Sequence, residues 1–327
     1  MKKLISLLLI VAMLFSFAGC TKPEKEDEKI LIGYSLNSMD STMKTMADYF
    51  EQEAKARGWE PVLLNANGDV ATELNNMESL MNMGVKAVVI MGCDTEGSAA
   101  AIEELGAAGI PVIIAGRGIN AKEEGYYTYV AGDHHEAGKA QAAYLNGLLD
   151  ADPNLVLNVA FIYGQSGSSS VAQRYEGFEA DAINGPHADR LKLVASQYAE
   201  FDTQKAYDIT TDMLTTYPEI NCFVTQSDEQ ASGIINAIKA KGANVNDYTI
   251  VSIDCSTTGQ AYLKSGELDA TVLMAMKQLA VSSADYVTKA LAGETVAKKN
   301  QVVGYYQLVT PETYKEVMEK NGMTPEQ

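Results

Sequence analysis

Short apolar segments alternate with amphipathic helical patterns from residue 30 to residue 309, and this alternation constrains the fold more than any other feature. Residues 110–118 (IPVIIAGRG) show the apolar segment clearly, with β-branched residues bounded by Pro111 and Gly116. A continuous apolar run of this length is typical of a buried strand in a parallel sheet. Because the alternation occurs in two rounds, we predict an α/β fold with two Rossmann-like, doubly wound parallel-sheet lobes.

The first 29 residues are predicted to lie outside the folded body. Lys2 and Lys3 precede an apolar stretch over residues 4–17 that is short for a membrane span, and Phe-Ala-Gly precedes Cys20. This arrangement resembles a bacterial lipoprotein signal, which implies removal of residues 1–19 and lipidation of Cys20. A plain secretory signal with an incidental cysteine is the alternative. Residues 20–29 are charged and contain a proline, which predicts a flexible tether to the membrane.

Charge and cysteine content exclude several classes of partner. The net charge of −18 argues against nucleic acid, since phosphate binding needs a basic surface. Cys93, Cys222 and Cys255 have neither disulfide nor zinc spacing, and we expect them to be small buried residues. The adjacent His134 and His135 cannot face one metal ion, so we expect a solvated helix start there, and no metal site or cofactor.

Candidate ligand contacts follow the predicted strands. In open α/β sheets, ligands bind beyond the carboxyl ends of the strands. Asp40 follows the strand predicted at residues 30–36, Met91 ends the strand predicted at 85–91, Arg117 follows the strand at 110–115, and Asp254 ends the segment VSID. We therefore expect these side chains to border one crevice.

Three blocks of sequence resemble the periplasmic sugar-binding proteins of the ribose and galactose type. The first is IPVIIAGR with YVAGDHHEAG, at residues 110–117 and 129–138. The second is QRYEGF at 173–178, after a Gly/Ser loop, and the third is INCFVTQSDEQASGIINAIKAKG with YTIVSID, at 220–242 and 248–254. Their order and spacing extend the resemblance over nearly the whole chain from residue 30.

The resemblance implies two discontinuous lobes joined by a three-strand hinge, the type I periplasmic binding protein fold. We place the first lobe at residues 30–132 and 275–303, and the second at 133–274 and 304–327. It also implies a monomer that delivers a small sugar, polyol or furanosyl compound to the permease subunits of an ABC importer. The sequence has no GxxxxGK[ST] phosphate loop, so the chain is not the ATPase of such an importer.

The resemblance assigns five candidate contacts. Arg117 and Arg174 fall on the family's sugar-binding arginines, Asp254 on an aspartate that binds ligand hydroxyls, and Phe201 on an aromatic that covers the sugar face. Arginine donates several hydrogen bonds in a rigid fork and aspartate accepts from two hydroxyls, which suits adjacent sugar hydroxyls. The alternatives are ion pairs for the arginines, a helix cap for Asp254 and core packing for Phe201. Asp40 lies near an aspartate of the galactose binders, and helix capping is its alternative.

Several positions depart from the family's pattern. Ser227 replaces a ligand-contacting asparagine, Met274 replaces the Asn or Gln of the hinge, and Thr42 and Met43 lie where an aromatic pair is common. Fewer amides and aromatics predict a less polar pocket than a pyranose site. We therefore expect a ligand other than glucose, galactose or ribose in their usual pose: smaller, partly deoxygenated, or of another class.

A further departure concerns the charge of Arg117. Ribose binders place an aspartate immediately before this arginine, where this chain has Gly116. The positive charge must therefore be met by Asp40, by Asp254 or by an acidic group of the ligand. The full set of predicted ligand contacts is Asp40, Thr42, Met43, Met91, Arg117, Arg174, Phe201, Ser227, Asp254 and Met274.

The predicted function is that of a solute-binding lipoprotein on the extracellular face of the cell membrane. A receptor that passes a quorum signal or nucleoside to a sensor is the alternative, and sequence does not separate the two. The signal segment and the lack of a basic helix-turn-helix argue against a transcription repressor of the same fold. The loop GQSGSSS at 164–170 lacks a G-x-S-x-G elbow, and no histidine follows in triad order, so we predict no enzymatic activity.

Overall fold

The structure, a computed structural model, describes residues 29–296 and 300–321. The predicted signal sequence, Cys20 and most of the predicted tether lie outside the described residues. Within the described ranges, no helix is long and apolar enough to cross a membrane. The described residues form two six-stranded sheets, each with helices packed on it.

The first sheet is entirely parallel and has the strand order β11-β5-β4-β3-β1-β2. The edge strand β2 contains Pro61, which has no backbone N–H to donate. Because β2 pairs with β1 on one side only, a proline is tolerated at this position. The strands of this sheet are β1 (Ile30–Leu36), β2 (Trp59–Asn65), β3 (Ala87–Ile90), β4 (Val112–Ala115), β5 (Thr128–Ala131) and β11 (Asn300–Val302).

The second sheet has the order β12-β10-β9-β8-β6-β7 and is parallel except for the edge strand β12, which runs antiparallel to β10. The sequence pattern predicts one strand-like stretch over residues 302–309, but this range contains the end of β11 and the whole of β12, joined by residues 303–305, where Gly304 has a φ of 79°. The strands are β6 (Leu157–Tyr163), β7 (Leu191–Tyr198), β8 (Cys222–Thr225), β9 (Thr249–Asp254), β10 (Ala270–Met274) and β12 (Tyr306–Val309).

Polar side chains cap several of the helices that connect the strands. Asp40, Asp69, Asp133, Asp202 and Ser227 each accept a backbone N–H bond at a helix start. The helices are α1 (Ser41–Ala56), α2 (Val70–Met83), α3 (Ala99–Ala107), α4 (His134–Ala151), α5 (Ser169–Phe178), α6 (Thr203–Thr216), α7 (Asp228–Ala240), α8 (Thr257–Ser265), α9 (Met276–Leu291) and α10 (Tyr314–Lys320).

Strand residues alternate between two cores in each sheet. In β3, Val89 packs with α1 and α9 on one face, whereas Val88 and Ile90 pack with α2 and α3 on the other. Burial on both faces explains the continuous apolar runs in the sequence. The predicted α/β fold is therefore confirmed, and Cys93, Cys222 and Cys255 are free and buried as expected.

Within residues 29–296 and 300–321, the chain passes between the sheets three times. The passages lie between β5 and α4, between β10 and α9, and between β11 and β12. We refer to the first sheet with its helices as the first lobe and to the second sheet with its helices as the second lobe. The predicted domain boundaries fall within these passages and stay a prediction.

Candidate ligand site between the lobes

The carboxyl ends of strands from both lobes border one small cavity. Its volume is about 30 Å³, which is room for only roughly one or two water molecules, so the lobes are closed in this structure. Nine of the ten predicted contacts line it, together with Ser170 and Glu229. The cavity is lined by Asp40, Thr42, Met43, Arg117, Ser170, Arg174, Phe201, Ser227, Glu229, Asp254 and Met274.

Met91 is the predicted contact that the structure does not bring to this cavity. It is buried in the core between β1 and α9, and its Cε lies where a side chain on Gly116 would begin, 2.5 Å from the ideal Cβ position. Gly116 also has a φ of 72°. The glycine that precedes Arg117 is thus required by both backbone conformation and space.

Arg117 lies at the end of β4 with 8% of its surface exposed. Its Nη1 donates to Oε1 of Gln165 at 2.7 Å, and with the Asn37 amide oxygen turned toward it, both Nη atoms donate to that oxygen at 3.2 Å. The guanidinium carbon lies 5.3 Å from the centroid of the Phe201 ring. Burial and the nearby charge of Arg174 lower the pKa of Arg117 to about 10. Among the described residues no carboxylate forms a direct ion pair with this guanidinium, so the surface ion-pair alternative is not observed. The charge of Asp40 nevertheless acts on Arg117 and raises its pKa against these effects.

Arg174 projects from α5 and is 4% exposed. Its Nη1 donates to the carbonyl of Gln226 at 2.9 Å, its Nη2 contacts the sulfur of Met274 at 3.0 Å, and its Nε has no partner among the described groups. The predicted alternative, an ion pair with Glu176, is not observed, since Glu176 binds His135. A thioether is a weak acceptor, so Arg174 retains donor capacity toward the cavity.

Close helix packing fixes the position of Arg174. A Cβ on Gly138 of α4 would lie 1.9 Å from the carbonyl oxygen of Arg174, and one on Gly177 of α5 would lie 2.1 Å from that of His135. Only glycine permits this approach of α4 to α5. The side chain therefore enters the cavity from a rigid helix pair.

Asp254 ends β9 in an unusual backbone conformation. Its φ is 118° and that of Cys255 is 54°, a strained pair typical of functional sites. Burial raises the pKa of Asp254 well above its usual range, and the charge of Asp228 adds to this, whereas Arg174 opposes it. Ser256 rather than Asp254 caps α8, so the capping alternative for Asp254 is wrong.

Asp228 holds the backbone turn behind Asp254. Its carboxylate accepts hydrogen bonds from the hydroxyls of Ser252, Thr271 and Ser256, and from the backbone N–H of Ser256. Burial raises the pKa of Asp228 to about 6, against the effect of these bonds. This buried carboxylate ties α7, β9, α8 and β10 together beneath the cavity.

Phe201 belongs to the cavity and to none of the buried core clusters. Its φ is 58° and that of the preceding Glu200 is 56°. A Cβ on Gly164 would meet the Phe201 ring at 2.1 Å, so this glycine makes room for the ring at the end of β6. The core-packing alternative for Phe201 is therefore wrong.

Asp40 and Ser227 line the cavity and also cap helices. Asp40 accepts from the N–H of Met43 at 2.9 Å and from the Ser38 hydroxyl at 2.7 Å, so the capping alternative is confirmed. Ser227 accepts from the N–H of Gln230 and is 4% exposed. Each of these side chains combines a local structural role with a position at the site.

Ser170 and Glu229 were not predicted. Each lies in the first turn of a helix that follows a strand of the second lobe, which is the available sequence signal. The Glu229 carboxylate accepts from the hydroxyl of Ser41 at 2.5 Å and from that of Thr258 at 3.2 Å. Because Ser41 belongs to the first lobe, Glu229 bridges the lobes at the edge of the cavity.

The loop at residues 164–170 makes further direct contacts across the cleft. The hydroxyl of Ser169 accepts from the N–H of Gly118 at 2.8 Å and donates to its carbonyl at 3.1 Å. The carbonyl of Gly167 accepts from the N–H of Thr95 at 3.0 Å. With the Gln165 bond to Arg117, these contacts stabilise the closed arrangement through the protein itself.

Gly167→Ala is expected to open the lobes. Gly167 has a φ of 80°, and its Cβ would lie 1.9 Å from Oδ2 of Asp94 on the first lobe. A larger radius of gyration in small-angle X-ray scattering should follow, with ligand affinity reduced by about tenfold. Gly147→Ala, in the open surroundings of α4, is the matched control. An unchanged radius in Gly167→Ala would contradict this role of the loop.

His134 departs from the expectation of a solvated helix start. It is 2% exposed, and its ring contacts the carbonyl of Gly116 through Nε2 and the hydroxyl of Tyr306 through Nδ1. His135 is the exposed member of the pair and binds Asp133 and Glu176. No group of three or more possible metal ligands occurs in the described ranges.

A pH dependence follows from His134. Burial, with the charges of Arg174 and Arg117, lowers its pKa to about 3, although the Gly116 carbonyl and Asp133 oppose this. His134 is neutral in the folded protein, so its contribution to stability is complete above its unfolded pKa near 6.5. As the pH falls from 6.5 toward 3, the histidine of the unfolded chain takes up a proton and this contribution is lost. We expect about 2 kcal/mol of unfolding free energy to be lost between pH 6.5 and pH 5, relative to His134→Gln. Denaturant unfolding measures this loss. If the unfolding free energies of the parent protein and of His134→Gln change equally with pH over this range, the assignment is wrong.

Two α/β lobes meet at a cleft, and Arg174 directs into this cleft hydrogen-bond donors that have a weak acceptor or none among the described groups. This arrangement defines a bilobal ligand-binding protein. A family model described as "Periplasmic binding protein domain" matches residues 32–295, and the chain belongs to this family. The fold is that of the type I periplasmic binding proteins, as the resemblance implied.

Individual relatives extend over most of the chain. The ribose import binding protein of Bacillus subtilis is 27% identical over 91% of this chain and 96% of its own length. That of Haemophilus influenzae is 29% identical over 91% and 97%. A solute-binding protein of Bacillus halodurans with bound myo-inositol is 26% identical, with a TM-score of 0.80 over 90% of this chain and 99% of that chain.

Proposed function

We propose that this protein captures a sugar or sugar-like ligand between its lobes and delivers it to an ABC permease. The observation that carries the proposal is the convergence of Arg117, Arg174, Asp254 and Phe201 on one interlobe cavity. Arg117 and Arg174 form no ion pair with a carboxylate of the described residues, so their guanidinium groups can donate to ring hydroxyls. Asp254 can exchange hydrogen bonds with other hydroxyls, and Phe201 can cover an apolar ring face. The names of the relatives support a sugar as the ligand class.

Closure is the proposed working step. The lobes are residues 30–132 with 275–303 and residues 133–274 with 304–327, which rotate about the three interlobe passages. Since the present cavity has about 30 Å³, a sugar enters only after the lobes separate. Binding then shifts the population toward the closed form, which the permease recognises. The protein is a monomeric receptor in this scheme and catalyses no reaction.

The chemistry of the cavity narrows the ligand class. Ser227 and Met274 provide a hydroxyl and a thioether where the resemblance implies amides. Fewer fixed amide contacts favour a ligand with fewer or differently placed hydroxyls than glucose, galactose or ribose. Polyols, deoxy sugars and furanosyl compounds fit this description.

A thermal-shift screen of sugars, polyols, nucleosides and furanosyl compounds tests the proposed ligand class. A ligand that binds only the folded state raises the unfolding midpoint with its concentration. We expect the largest shifts from polyols, deoxy sugars or furanosyl compounds. Tight binding of glucose or galactose with no response to the others would contradict the proposed pocket chemistry.

Anchoring through Cys20 completes the proposal. Its support is the apolar segment that ends in Phe-Ala-Gly-Cys and the charged segment that follows. Expression in a bacterium followed by detergent phase partition should place the protein in the detergent phase, and Cys20→Ser should remain unprocessed or enter the aqueous phase. Equal partition of both proteins would exclude the lipid anchor.

A further inference from the structure

A second, much larger cavity lies next to the interlobe site. Its volume is about 720 Å³, within the range of small-molecule sites. It shares Thr42, Asp254 and Met274 with the small cavity, so these three side chains form a common wall. Both lobes contribute to it, since α1, α8 and the start of α9 all line it.

The walls of this chamber suit a carbohydrate ring. Tyr49 and Tyr305 line it, and Tyr305 is 45% exposed although it is a large aromatic residue, whereas the Tyr49 ring has Lys277 Nζ 6.0 Å from its centroid. Thr45, Thr257 and Gln278 also line it, and the Thr45 hydroxyl donates to the carbonyl of Ser41. Aromatic faces that pack on C–H groups, beside hydroxyls and amides that pair with sugar hydroxyls, are the groups that sugar recognition uses.

Met274 lies between the two spaces. Its sulfur takes the contact from Arg174 Nη2 on the side of the small cavity, and its side chain also lines the chamber. A methionine side chain is unbranched and adaptable, so it can change rotamer at low cost. Its movement would join the two spaces beside Asp254.

We infer that the chamber is a second sugar subsite and that the protein prefers a disaccharide to a monosaccharide. One ring lies between Arg117, Arg174 and Asp254, and the second ring lies past Met274 against Tyr305. The inference rests on the proposed function and adds the length of the ligand to it.

Calorimetric titration with matched pairs tests this inference. The pairs are xylose with xylobiose, L-arabinose with arabinobiose, and glucose with maltose and cellobiose. We expect at least one disaccharide to bind roughly tenfold or more tightly than its own monosaccharide, because its second ring packs on Tyr305. Disaccharides that bind no better than their monosaccharides in every pair would overturn the inference and leave the proposed function intact. Absence of binding by all of these sugars and by the wider screen would count against both.

Chamber variants locate the second ring. Tyr305→Ala should reduce disaccharide affinity to that of the monosaccharide measured in the same variant, whereas Tyr305→Phe should keep the preference. Tyr217→Ala, at an exposed tyrosine that ends α6, is the control. Equal losses for both sugars in Tyr305→Ala, or no loss for either, would show that the second ring lies elsewhere.

Discussion

Arg174→Ala is expected to weaken binding of the best sugar by about 100-fold or more, the largest effect on affinity that we predict. Arg174 is buried, its Nε has no partner among the described groups, and its Nη2 contacts the weakly accepting sulfur of Met274. A ligand hydroxyl or ring oxygen would complete these bonds, and each hydrogen bond to a charged donor contributes roughly 1.5–3 kcal/mol. Isothermal titration calorimetry measures the loss.

Two further variants separate binding from folding. Arg174→Lys keeps the charge without the planar fork, so an intermediate affinity is expected. Arg57→Ala removes an arginine of the first lobe that pairs with Glu53 and Asp285 on the surface, and it should bind the sugar normally. If Arg174→Ala is folded and binds the sugar as tightly as the parent protein, the site is assigned to the wrong cavity.

Asp228→Ala is expected to have the largest effect on stability, a loss of roughly 3–5 kcal/mol in unfolding free energy. The substitution leaves the hydroxyls of Ser252 and Thr271, and both the hydroxyl and N–H of Ser256, without their shared acceptor. A Cβ on Gly259 would lie 2.1 Å from Oδ2 of Asp228, so the packing around this carboxylate is tight. Urea denaturation measures the loss.

The pH dependence of Asp228 gives an independent check. In the folded protein, burial raises the pKa of Asp228 from about 3.8 to about 6. The stability gained from this shift is therefore complete below pH 3.8 and is lost as the pH rises through 6. Asp228→Ala should lack this component, and Asp189→Ala, at an exposed aspartate, should keep it. A loss below 1 kcal/mol in Asp228→Ala would show that Asp228 does not organise the turn behind Asp254.

The alternation of apolar and amphipathic segments was sufficient to predict the fold. The period of an apolar pattern and the residues that begin a helix are local properties of the sequence, and the cap at Asp40 lies where the sequence allowed it. The break between β11 and β12 at Gly304 was not predicted. Apart from this glycine, residues 302–309 have an uninterrupted strand-like composition.

The site was harder to predict where side chains act across the lobes. Arg117, Arg174 and Asp254 follow strands or begin helices, and the structure brings them to the same cavity. Glu229 bridges to Ser41 over 188 positions of sequence, a contact that no local pattern reveals. His134 is buried because Gly116 and Tyr306 meet there from distant segments, whereas a local pattern shows only a polar helix start. Met91 directly follows β3, but it is buried in the core rather than at the cavity.

A crystal structure of the protein with the best sugar of the screen tests the central claim most directly. We predict ligand density between the lobes, within hydrogen-bond distance of Arg117, Arg174 and Asp254 and against the ring of Phe201. Density confined to another surface, with the guanidinium of Arg174 making the same contacts to Gln226 and Met274 as in the present structure, would contradict this prediction.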